Sequence, residues 1–144
     1  MPQYPIHFFS EEIEFTIKQK MAVRSWIRDT IKSENYKLGE LNFIFCSDEY
    51  LLNINQEYLN HDTFTDIVTF DNSETDGLII GDIFISIDRV KENSKKFKVN
   101  ETDELHRVII HGTLHLLGYP DKGQKAKKLM TEKEDQYLAC RAFV

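Results

Sequence analysis

Hydrophobic and polar positions change period several times along the chain, and each change marks an element. Ile6 to Phe9 is a short run of β-forming residues and reads as a first strand. From Met21 to Ile31 the large apolar residues Met21, Trp26, Ile27 and Ile31 recur near helical spacing, with Arg24, Arg28 and Lys32 among them. Gly39 precedes Leu41 to Cys46, a second strand. Ser47 or Asp48 is placed to cap the next helix, whose apolar face is Leu51, Leu52, Ile54 and Tyr58. A loop at Asn60-His61-Asp62-Thr63 leads to a β-branched strand from Asp66 to Phe70. The polar turn Asp71 to Gly77 then precedes a long β-type run from Leu78 to Ile87. Asp88 is expected to cap a helix reaching about Phe97, and another helix starts near Thr102, passes through Ile110 and stops at Gly118. A last helix covers roughly Gln124 to Arg141. The order β-α-β-α-β-β-α-α-α predicts an α+β fold, a single four-stranded mixed sheet with packed helices.

Composition narrows the class. A chain of 144 residues reads as one domain, 1–144, without repeats or linkers. Hydrophobic residues at 41% and charged residues at 29% argue against disorder. The longest apolar stretches, such as Val108 to Ile110, fall far short of the ~20 residues a membrane helix needs. The opening Met-Pro-Gln-Tyr-Pro-Ile-His has neither a basic nor an apolar leader segment, so no secretory signal is expected. Two cysteines, Cys46 and Cys140, cannot build a disulfide framework or an all-cysteine zinc site. A cytoplasmic protein without membrane attachment is the expectation. The net charge of -6 excludes a general nucleic-acid coat, so any contact with nucleic acid must be local.

Chemistry concentrates in His111-Gly112-Thr113-Leu114-His115-Leu116-Leu117-Gly118-Tyr119-Pro120-Asp121. His111 and His115 are four apart and stack on one helix face. A histidine pair alone is common on ordinary helices. Here Gly118 follows three residues later, suited to end the helix in a left-handed conformation, and Asp121 six residues after His115 supplies a carboxylate from the turn. That composite predicts a metal site at the end of a helix, with His111, His115 and Asp121 as ligands and one Zn2+ per chain. Three protein ligands leave a coordination position open, as catalytic zinc sites do, and hydrolysis is the natural reaction class. The spacing also follows the long signature of zinc peptidases, but those carry a general-base Glu directly after the first His. Position 112 is Gly, which opposes that reading. Glu104, two turns before His111 on the same side, is expected to be too remote to replace it.

The stretch His-Gly-x-Leu-His-Leu-x-Gly-Tyr resembles the hallmark of the YbeY family of bacterial endoribonucleases, also described as rRNA maturation factors. Asn55 to Asp62 with Thr65 to Phe70, and Gly81-Asp82-Ile83-Phe84-Ile85-Ser86, are similar to two further segments of that family. The resemblance implies a metal-dependent, single-strand-specific endoribonuclease acting in ribosomal RNA processing and ribosome maturation, with RNA as substrate and ribosome-associated proteins as partners. It places the three metal ligands on His111, His115 and Asp121, the last where the family usually has His. Leu59 stands where the family typically has Arg. The alternatives are a zinc peptidase-like hydrolase, and a ribosome assembly factor with structural zinc that does not catalyse.

Arg107, one turn before His111, is the candidate to take over phosphate binding. The competing reading pairs it with Asp103 or Glu104 along the helix. His106 points away from His111 on the helical wheel and is read as packing or support. His61 is a candidate for lining the cleft, and His7 has no assigned place. Lys91, Lys95, Lys96 and Lys98, and Lys122, Lys125, Lys127 and Lys128, read as solvated faces, the second group lying beside Asp121. Tyr119 reads as a packing residue with base stacking as the alternative.

Overall fold

The computed structural model describes residues 5–59 and 65–144. The elements follow the expected order: β1 (Ile6–Glu11), α1 (Lys20–Ser33), β2 (Lys37–Cys46), α2 (Asp48–Leu59), β3 (Ile67–Asp71), β4 (Leu78–Ser86), α3 (Ile87–Lys96), α4 (Glu101–Leu116) and α5 (Gln124–Leu138). The strands form one mixed sheet in the order β1-β2-β4-β3. β1 and β4 run parallel to β2, and β3 is antiparallel to β4 at one edge.

Alternation along β2 and β4 decides which face is covered. Leu41, Phe43 and Phe45 pair in register with Gly81, Ile83 and Ile85, so they share one face, and the apolar members are buried. α1 contributes Val23, Trp26, Ile27 and Ile31 to this core, and α4 contributes Leu105, Val108, Ile109, Ile110 and Leu114. Leu51 of α2 closes a smaller cluster with Cys46 and Val68, against which Tyr50, Ile54, Phe70 and Phe84 pack. α4 is buried nearly all round, which explains why its sequence is apolar beyond one stripe.

Several boundaries differ from the sequence expectation. Ser86 rather than Asp88 caps α3, accepting from Arg89 N–H. Asn100 rather than Thr102 caps α4, accepting from Asp103 N–H. β2 begins at Lys37, and Gly39 lies inside the strand where the register with β4 shifts, a bulge rather than a boundary. Met21 is 55% exposed and contributes nothing to the α1 core face. α5 ends at Leu138 instead of Arg141. Among the described residues no helix is long and apolar enough to cross a membrane.

Candidate metal centre

α4 ends in a tight reversal that builds the site. Gly118 has φ of 101°, its N–H donates to the His115 carbonyl, and the Tyr119 N–H donates to the Leu114 carbonyl. This is a Schellman motif, and it needs a residue that tolerates positive φ. The chain therefore turns back beside the last turn of α4, bringing the segment that holds Asp121 to His111. His111 Nε2 lies 3.3 Å from Asp121 Oδ2. The His111 and His115 rings are 6.3 Å apart between centroids. The His115 Nδ1 lies 3.2 Å from the Tyr119 carbonyl oxygen. A carbonyl only accepts, so that nitrogen donates and His115 keeps its lone pair on Nε2.

His111, His115 and Asp121 line a cavity of about 560 Å³. Residues 65–69, entering and forming β3, make another wall, with Leu59 at the end of α2. Gly112 explains how α4 comes so close to the sheet. A Cβ there would stand 2.6 Å from Ile67 Cδ1 and 3.0 Å from Ile83 Cγ2. Position 112 thus faces the sheet, where a zinc-peptidase glutamate would meet apolar side chains.

The cavity also holds groups that the sequence reading missed or misjudged. Glu104 lines it seven residues before His111, so it shares the site and is not remote from it. Glu134 of α5 is buried, with Oε2 2.7 Å from His111 Nδ1 and Oε1 2.8 Å from Arg107 Nη1. Arg107 also donates to Asp135, at 2.7 Å. Its ion pairs therefore run across to α5 and not to Asp103 or Glu104 on its own helix. A signal for Glu134 exists in the sequence: it shares the inward stripe of α5 with Met130 and Tyr137, at helical spacing. Asp66 also lines the cavity.

Burial and mutual charge perturb these groups. Burial raises the Asp66 carboxyl, outweighing the lowering effect of His111. Burial also raises Glu104, helped by the charge of Asp66. Burial alone would lower His111, but the Glu134 hydrogen bond and the charges of Glu134, Asp66 and Asp121 raise it on balance.

The residue types fit a divalent ion. Two ligand atoms at zinc distances of about 2.0–2.1 Å in tetrahedral geometry stand about 3.3 Å apart. The observed His111 Nε2 to Asp121 Oδ2 separation of 3.3 Å matches this and is long for a hydrogen bond. His115 is exposed, one turn after His111 on the same helix. Among the described residues no three His, Cys, Asp or Glu side chains already enclose an ion position.

A family model described as Endoribonuclease YbeY matches residues 6–141. The chain belongs to the endoribonuclease YbeY family. It is 52% identical to the Endoribonuclease YbeY of Cytophaga hutchinsonii over 143 residues, covering 99% of this chain and 100% of that one. It is 42% identical to the protein of that name from Amoebophilus asiaticus over 144 residues, covering 100% of this chain and 98% of that one. The solution structure of TM1509 from Thermotoga maritima is similar, with a TM-score of 0.64 at 29% identity, covering 92% of this chain and 86% of that one.

Other residues singled out from the sequence lie elsewhere. His106 is 2% exposed and packs between Trp26 and Phe143, at 5.5 and 5.6 Å between ring centroids. His7 sits on β1 beside Glu40. Tyr119 is a packing residue: its hydroxyl donates to Glu34 and its ring faces Lys133. Both lysine groups are solvent-exposed. His61 lies outside the described residues.

Proposed function

We propose that this chain is a metal-dependent endoribonuclease that cuts single-stranded RNA during ribosomal RNA maturation in the cytoplasm. One divalent ion, zinc first, would be held by His111, His115 and Asp121. The observation that carries the reading is the 3.3 Å pairing of His111 Nε2 with Asp121 Oδ2 at the end of α4. The electrostatics support it. Among the described residues, four carboxyl groups, those of Asp66, Glu104, Asp121 and Glu134, line the cavity against one guanidinium, that of Arg107. A phosphodiester backbone is repelled by such a lining unless a cation sits there. When bound, the ion supplies positive charge to polarise the scissile phosphate.

The chain's own residues set up the rest. Arg107, 36% exposed in its side chain and held by two carboxylates, gives the wall a fixed positive charge beside the cavity. Asp66 and Glu104 carry carboxyls raised by burial, the direction that favours their protonated form over that of an exposed carboxyl. Gly112 keeps α4 against the sheet, so His111 opens onto the cavity rather than the core. Cytoplasmic residence is supported by two unpaired cysteines, Cys46 and Cys140.

The test compares cleavage of one RNA sequence in single-stranded and duplex form, with and without a chelator. Cleavage confined to the single strand and abolished by chelation is expected. Equal cutting of both forms, or cutting insensitive to chelator, contradicts the proposal.

A further inference from the structure

Glu134 occupies an unusual position for a carboxylate. It lies on the inward stripe of α5 and its side chain is 9% exposed. An ionised carboxylate is costly to bury unless partners compensate it. Each of its oxygens has one: Oε2 meets His111 Nδ1 at 2.7 Å and Oε1 meets Arg107 Nη1 at 2.8 Å. We infer that Glu134 is the positioning residue of the metal site, fixing the tautomer and ring plane of His111 while anchoring Arg107 beside it.

The carboxylate accepts from Nδ1, so the neutral imidazole keeps its proton there and its lone pair on Nε2. Nε2 is the nitrogen that faces Asp121. Without Glu134, either ring nitrogen can carry the proton and the ring can turn. Both changes remove lone-pair density from the point where the ion is proposed to bind. A carboxylate behind a ligating histidine typically contributes 10–100-fold in metal affinity. Arg107 keeps Asp135 as a second partner, so the guanidinium stays tethered when Glu134 is lost.

The inference rests on the proposed metal site, and the experiment separates the two. Glu134→Ala and the volume-conserving Glu134→Gln are compared with wild type by three measurements. These are nitrogen-15 NMR of the histidines in metal-free protein above their titration, zinc affinity by chelator competition, and unfolding of the metal-free protein. In wild type, His111 is expected almost wholly in the Nδ1–H form. Glu134→Ala should mix in the Nε2–H form and weaken zinc binding 10–100-fold. Glu134→Gln, which keeps the shape without the charge, should lose less. Lower unfolding resistance with unchanged tautomer and zinc affinity would reduce Glu134 to a structural role and overturn the inference. If Glu134→Ala does not fold, an unaltered affinity and tautomer in Glu134→Gln overturns it. Wild type that binds no zinc overturns the metal reading instead, and the tautomer comparison still decides the role of Glu134.

Discussion

His106 gives the fold a built-in pH dependence. The ring is 2% exposed and lies between Trp26 and Phe143, with its Nδ1 2.9 Å from Arg141 Nη1. A guanidinium only donates, so Nδ1 must accept and the ring must be neutral. Burial first, then the charge of Arg141, pushes its pKa down from 6.5 to about 4, with Asp103 opposing. The folded state thus binds the proton more weakly than the unfolded chain does. Stability from this residue is fully present above pH 6.5 and is lost as the pH falls through about 4. The full difference is worth about 3 kcal/mol, and about 2 kcal/mol of it is gone by pH 5. The assay is urea unfolding from pH 7.5 to 4.5 for wild type and His106→Gln. Other groups titrate in both proteins, so only the difference between them reports His106. The variant should be less stable at pH 7.5, because packing is lost, and the gap should narrow by about 2 kcal/mol on reaching pH 5. A gap independent of pH would refute the buried neutral ring.

Three further outcomes are expected. Asp121→Ala should weaken zinc binding sharply in chelator competition, since two histidines remain; unchanged affinity would remove Asp121 from the ligand set. Gly112→Ala should cost about 1 kcal/mol in urea unfolding, because overpacking of about 1–3 kcal/mol against Ile67 and Ile83 exceeds a helix-propensity gain of up to about 1 kcal/mol. A more stable variant would show that helix and sheet do not press together there. Arg107→Ala should leave Glu134 Oε1 without its partner and cost roughly 1–3 kcal/mol. It should also slow RNA cleavage while zinc content by elemental analysis stays constant, and equal cleavage rates would place Arg107 outside substrate binding.

Much of the architecture was legible because it is written in local periodicity. The alternation in Leu41 to Cys46 and Leu78 to Ile85, and the spacing of Trp26, Ile27 and Ile31, translate directly into a face or a stripe. The turn at Gly118 was legible for the same reason: one residue type suits its backbone. Capping was harder, because Ser86 and Asp88, or Asn100 and Thr102, offer the same acceptor chemistry within two residues. Arg107 shows where local rules stop. Neighbours at helical spacing suggested Asp103 and Glu104, yet Glu134 and Asp135, 27 and 28 residues away, take the guanidinium once α5 docks on α4. Glu134 stands between other acids, Glu132 and Asp135, on a largely polar helix, and its spacing from Met130 and Tyr137 marks only the inward stripe. Only the packing of α5 shows that its carboxylate is buried against His111 and Arg107.

Metal content of the purified protein addresses the central claim most directly. Elemental analysis of wild type should find about one zinc per chain. His111→Ala and His115→Ala, each folded, should both lose most of it. Full occupancy in both variants would show that the end of α4 does not hold the ion.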